Sequence, residues 1–167
     1  KIVVIESDDW GSIRMPSVNA FKTLRKLGVD VITGDNLRFN SYDHLAAADD
    51  LSALFDVLRS VKDKHGKAAV FTPLSIMANP DFNKIRSSSF SEYFYEPFTD
   101  TLKRTPGCEN SYALWKEGIR ERLFVPEFHG REHLNVRLWL RALRDGDKAT
   151  LLAFDQGFWG FNNDHPS

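Results

Sequence analysis

Cysteine is almost missing from these 167 residues: Cys108 stands alone, so no internal disulfide framework and no cysteine-rich zinc site can form. That scarcity leaves a cytosolic, periplasmic or secreted setting open. Charge of one sign is lacking too. The 22 basic and 23 acidic residues give a formal net charge of -1, so nothing global draws the chain to nucleic acid or to anionic lipid. No apolar run approaches the roughly 18 residues of a membrane span, no signal-peptide pattern precedes Lys1, and there is no internal repeat or low-complexity tract. The chain opens without a methionine, directly in Ile2-Val3-Val4-Ile5, and so reads as trimmed or partial. What is present suits one compact domain over 1–167: 42% hydrophobic residues, enough for a core, and 13% aromatics. Trp10, Trp115, Trp139 and Trp159 are spread along the sequence. Core burial is the expectation for most of them, and stacking on a sugar ring the alternative.

Strand and helix signals alternate. Ile2 to Ile5 is a β-branched run ended by Glu6-Ser7-Asp8-Asp9, the pattern of a strand buried on both faces. Val18, Phe21, Leu24 and Leu27 then fall at helical spacing, closed by Gly28. The stretch from Val29 to Tyr42 reads as an irregular surface connection. Asp49 or Asp50 starts a second helix with the stripe Leu51, Leu54, Phe55, Leu58 and Val61, ended by His65-Gly66. Ala68 to Pro73 is a second buried strand. From Met77 to Cys108 the punctuation (Asn79-Pro80-Asp81, Ser87-Ser88-Ser89, Pro97, Pro106-Gly107) predicts an elaborated insertion beside the active face. Beyond it we expect a helix from Ser111 to Leu123, a strand from Leu123 to Phe128, a helix from Leu134 to Leu143 and a fourth strand from Ala149 to Phe154. Such alternation implies a parallel sheet or barrel, in which chemistry gathers at the C-terminal ends of strands.

Two clusters sit at such ends. Asp8 and Asp9 are adjacent carboxylates that repel unless a cation or a shared proton relieves them, although acidic pairs in turns are also ordinary caps. His129-Gly130-Arg131-Glu132-His133 sets two imidazoles four residues apart, a spacing that places both on one side of a helical turn. Surface or core histidines at that spacing also arise by chance. Taken together, two histidines and one carboxylate supply three protein ligands and leave a position open, the donor set of a catalytic divalent site.

These residues resemble those of the polysaccharide deacetylases of the carbohydrate esterase type, which carry an Asp-Asp pair after the first barrel strand and His-x-x-x-His after a later one. The strand Ala69-Val70-Phe71-Thr72 is similar to the one between those motifs. The resemblance implies an α/β fold, a (β/α) barrel distorted or incomplete in this chain. It also implies a hydrolase that removes acetyl groups from a carbohydrate by attack of a metal-bound water. Asp8 would be the general base. Asp9, His129 and His133 would hold a divalent metal, most simply zinc. Where the family has glycine after the second Asp, this chain has Trp10, which would lie at the pocket mouth and touch substrate. The family's later motifs, an orienting arginine and a histidine general acid, have no clear counterpart; His165 in its polar tail is a poor match.

Two rivals use the same residues. His129 to His133 also fits the H-x-x-E-H pattern of inverted zinc peptidases with Glu132 as base, which needs a continuous helix that Pro126 and Gly130 disfavour. A carbohydrate-binding or degenerate barrel would keep the pocket without turnover. The expected partner is a carbohydrate, with no nucleic acid and no membrane span; compartment and oligomeric state are open.

Overall fold

The structure is a computed structural model that describes residues 3–160. In chain order its elements are β1 (Glu6–Trp10), α1 (Val18–Lys26), α2 (Asn36–Tyr42), α3 (Ala48–Ser60), β2 (Thr72–Ile76), β3 (Ala78–Pro80) and α4 (Phe82–Ser87). There follow β4 (Tyr95–Pro97), α5 (Phe98–Arg104), α6 (Ser111–Arg120), β5 (Glu127–Gly130), α7 (Val136–Arg144) and α8 (Lys148–Asp155). Among the described residues no helix is long and apolar enough to cross a membrane. The chain divides into two compact units, one of Lys1–Ser12, Leu45–Asn79 and Glu96–His133, the other of Ile13–His44, Pro80–Tyr95 and Leu134–Ser167.

The first unit is built on a three-stranded parallel sheet in the order β1-β2-β5. β1 lies just downstream of the apolar run expected to form it, whereas β2 and β5 begin within their expected strands and run past them. Val3 and Val4 are 82% and 68% exposed, so the expected strand from Ile2 to Ile5, buried on both faces, is corrected for the described part. The ladder begins where Thr72 N–H donates to Ile5 O and continues through Glu6↔Thr72 and Ser7↔Pro73. Parallel pairing likewise reaches β5 late: Phe71 and Phe124 form an isolated bridge, and the strand proper starts at Glu127. An outer strand has a neighbour on one side only, so the polar residues that follow each run can keep their water while the backbone pairs.

α3 and α6 pack on each other, and Trp115 of α6 meets Trp10 of β1 edge-on. α3 follows its expected stripe: Leu51, Phe55 and Leu58 are buried, and the Asp50 carboxylate accepts the Ala47 N–H at its start. The core is aromatic. Phe55 and Trp115 each meet Phe124 edge-on, and Phe71 stacks on Phe124. Gly118 of α6 makes the approach possible, since a Cβ there would lie against the Phe55 ring and 2.9 Å from Phe124 Cβ.

The second unit is helical where we expected its last element to be a strand. Ala149 to Phe154 lies in α8, because the Asp147 carboxylate accepts both the N–H and the hydroxyl of Thr150, at 2.8 and 2.6 Å, and caps the helix. A continuous apolar run fits a buried helix as well as a strand. The stretch from 29 to 42 also holds a helix, α2. Met15, Phe21, Leu24, Val31 and Phe158 form one cluster of the core. Ile85, Trp139, Leu143, Phe154 and Trp159 form another. Trp159 donates its indole N–H to Ile13 O at 2.9 Å. Trp115, Trp139 and Trp159 are thus core residues, as expected for most of the four.

Candidate metal centre

Asp9 reaches the site because β1 is irregular there. Ser7 pairs with Pro73 and Trp10 with Ser75, so Leu74 alone stands opposite Asp8 and Asp9. The extra residue is a β-bulge, which re-aims side chains and breaks the alternation of the strand. Asp9 itself adopts φ 61, a left-handed conformation that costs a non-glycine residue energy and recurs at functional sites. The turn after it is closed by Ser12 N–H donating to Asp9 O at 3.2 Å.

The histidines arrive from β5. His129 is on the strand, whose pairing runs Ser75↔Phe128 and Ile76↔Gly130. Past the strand, Met77 N–H donates to Gly130 O and Ala78 N–H to Arg131 O, which turns the chain and brings His133 back over His129. The two imidazoles share a face through this strand-and-loop path. The helical turn expected from their spacing is therefore corrected, Pro126 and Gly130 favouring extended backbone over a helix. The helix required by an inverted zinc peptidase does not form either. Glu132, its would-be base, has a side chain only 8% exposed that is held bidentately by Arg131 at 2.5 and 2.7 Å.

Three donor atoms converge. His129 Nε2 and His133 Nε2 are 3.1 Å apart, and Asp9 Oδ1 lies 3.6 Å from the first and 3.8 Å from the second. A point equidistant from the three lies roughly 2.0 Å from each, the length of a zinc bond to nitrogen or oxygen. The imidazole rings stack at 20° with centroids 4.9 Å apart, farther than the 3.1 Å between their Nε2 atoms, so the two rings approach each other at their Nε2 edges. Asp9 Oδ1 is buried and accepts no hydrogen bond among the described residues. A buried carboxylate oxygen left without a partner is costly, and a cation is the partner that fits two neutral imidazoles and one carboxylate. The donor set therefore suits a divalent ion. The three side chains remain 28%, 55% and 39% exposed for His129, His133 and Asp9, leaving a solvent-facing side for a further ligand.

The other expected site residues lie differently. Asp8 is exposed and makes no hydrogen bond or ion pair among the described residues. Trp10 is half-buried and packs edge-on against Phe71, Phe124 and Trp115 at 5.3, 5.4 and 6.1 Å, so part of its ring serves the core and part stays open. His165 lies outside the described residues. Sequence reasoning overlooked Asn79, which is buried and donates to the carbonyl of Gly11 just after Asp9. Its one signal was the Asn-Pro dipeptide, which reads only as a turn. Comparison of the chain with family models, curated proteins and solved structures yields no match.

Proposed function

We propose that this chain is a metal-dependent hydrolase of the polysaccharide deacetylase type, releasing acetate from an acetylated carbohydrate, with Asp9, His129 and His133 as metal ligands. The observation that carries this reading is the triangle of Asp9 Oδ1 and the two Nε2 atoms, sized for a zinc-like ion and containing an otherwise unpartnered buried oxygen. Two nitrogens and one oxygen favour zinc over magnesium or calcium, which prefer all-oxygen shells. When bound, such an ion supplies Lewis acidity, polarising an acyl carbonyl and acidifying water.

The chain's own residues have separate roles in this reading. Asp8 is next to a ligand but not itself engaged, so its carboxylate is free to take the proton of the attacking water. The open part of Trp10 offers an apolar contact to the C–H face of a sugar ring beside the Asp9 turn. The parallel sheet β1-β2-β5, whose strands are separated in sequence by helices, is read as part of a β/α barrel, distorted or incomplete.

The test is acetate release from N-acetylated and O-acetylated oligosaccharides by the zinc-loaded protein and by Asp8→Asn. The variant should keep its metal and lose about 100-fold or more in turnover, the contribution of a general base. Unchanged turnover in the variant would remove Asp8 from the role. Metal binding without acetate release from any substrate would favour the carbohydrate-binding reading instead.

A further inference from the structure

We infer that Asn79 is a positioning residue that holds the turn from Asp9 to Ser12, and with it the Asp9 carboxylate, in register with the histidine pair. The inference rests on the metal-centre reading above for its consequence, and on hydrogen-bond geometry for its substance.

Asn79 is 2% exposed, and its side-chain amide spends both hydrogens. One goes to Gly11 O at 2.9 Å and the other to Thr101 Oγ1 at 3.1 Å. Thr101 is equally buried; its hydroxyl donates to Glu96 Oε1 at 2.8 Å, and that carboxylate oxygen is held by the Arg104 guanidinium, whose Nε lies 2.9 Å away. Direction is fixed along the whole relay. Glu96 and Gly11 O can only accept, so Thr101 must donate outward and offer a lone pair to Asn79, and the amide can face Gly11 only with its NH₂ end. Reversed, it would set one oxygen against another in a buried site.

The relay ends on a turn of unusual backbone conformation. Asp9 and Gly11 both have positive φ, 61 and 88, and the turn's own closing bond is the 3.2 Å contact from Ser12 N to Asp9 O. Asn79 follows directly on the two residues whose backbone N–H groups hold Gly130 and Arg131. One short segment, Met77 to Asn79, therefore grips both halves of the centre: by its main chain the loop that carries the histidines, and by a side chain the turn that carries Asp9. Displacement of either half by a few tenths of an ångström would change the 3.6 and 3.8 Å separations on which a shared ion depends.

The experiment compares wild type, Asn79→Leu and Thr101→Val, the last removing the hydroxyl that takes the amide's second hydrogen and donates to Glu96 while leaving the bond from Asn79 to Gly11 O in place. In metal-free protein, amide hydrogen exchange at Ser12 should quicken by about tenfold or more in Asn79→Leu and by less in Thr101→Val, while the amides of α3 exchange as in wild type. Cobalt(II) affinity should fall by about 10- to 100-fold in Asn79→Leu, with an altered visible absorption spectrum, as for loss of a residue that orients a ligand. A Ser12 amide as protected in Asn79→Leu as in wild type overturns the inference. So does an opened turn with unchanged cobalt affinity and spectrum. If Asn79→Leu does not fold, Thr101→Val decides on the same two readouts. Failure of the wild type to bind cobalt would sink the metal-centre reading alone, since the exchange measurement on metal-free protein still decides whether Asn79 holds the turn.

Discussion

Gly11→Ala perturbs the same turn through its backbone, and its cost follows from two features of the structure. Gly11 has φ 88, a conformation that costs an L-residue about 1–2 kcal/mol. A Cβ there would also lie 2.6 Å from Ile76 O and 3.1 Å from the Phe98 ring. The carbonyl belongs to β2 and cannot move freely, so the overlap adds about 1–3 kcal/mol of overpacking. The total is about 2–5 kcal/mol. Gly66→Ala is the matched control: it belongs to the same unit, has φ 77, and its Cβ would meet nothing within 4 Å, leaving only the conformational penalty. Both substitutions restrict the unfolded chain equally, so that contribution cancels in the difference. Native-state hydrogen exchange of the α3 amides reports unfolding of this unit. It should show Gly11→Ala costing about 1–3 kcal/mol more than Gly66→Ala. Equal costs for the two would refute the close approach of Gly11 to β2, and with it the stated geometry of the Asp9 turn.

Removing a ligand should matter more than removing its support: Asp9→Ala, His129→Ala and His133→Ala should each lower zinc affinity beyond the roughly 10- to 100-fold of an outer-shell change, measured by chelator competition. Gly118→Ala should destabilise by about 1–3 kcal/mol through overlap with Phe55 and Phe124, and combined with Phe55→Leu it should cost less than the two changes summed, read by chemical denaturation. Asp81 caps α4. Burial alone would raise its carboxyl, but the backbone N–H, side chain and charge of Lys84 together hold it below the usual carboxylate range. Its contribution is therefore complete above about pH 4 and is lost as pH falls through the lower folded value. Asp81→Ala should lose about 1 kcal/mol near neutral pH and show a shallower acid decline, measured by unfolding across pH 2 to 6.

Helices with a clear stripe were legible in the sequence. α1, α3, α6 and α7 fall where periodicity put them, because each buries one apolar face, and in the structure Ser17 and Asn135 cap the first and last of them. The strands were legible as existing but not in register. Apolar runs mark where a buried strand could lie, whereas the observed ladders are displaced toward the C-terminus, in β1 onto the polar residues that follow the run, a choice made by pairing partners far away in sequence. α8 was misread because four consecutive apolar residues carry no period, and the informative residue was Asp147 upstream of them. Ligand types at the centre could be read from Asp9, His129 and His133. Their convergence could not, since it depends on a bulge in β1, on a loop that folds back after β5, and on the buried amide of Asn79.

The central claim is that Asp9, His129 and His133 bind one divalent ion. Its most direct test is elemental analysis of the purified protein after zinc loading and dialysis, alongside Asp9→Ala. The account predicts about one equivalent of zinc in the wild type, as for a three-ligand catalytic site, and far less in the variant. Wild-type protein that retains no zinc, or an Asp9→Ala variant that retains as much, would contradict it.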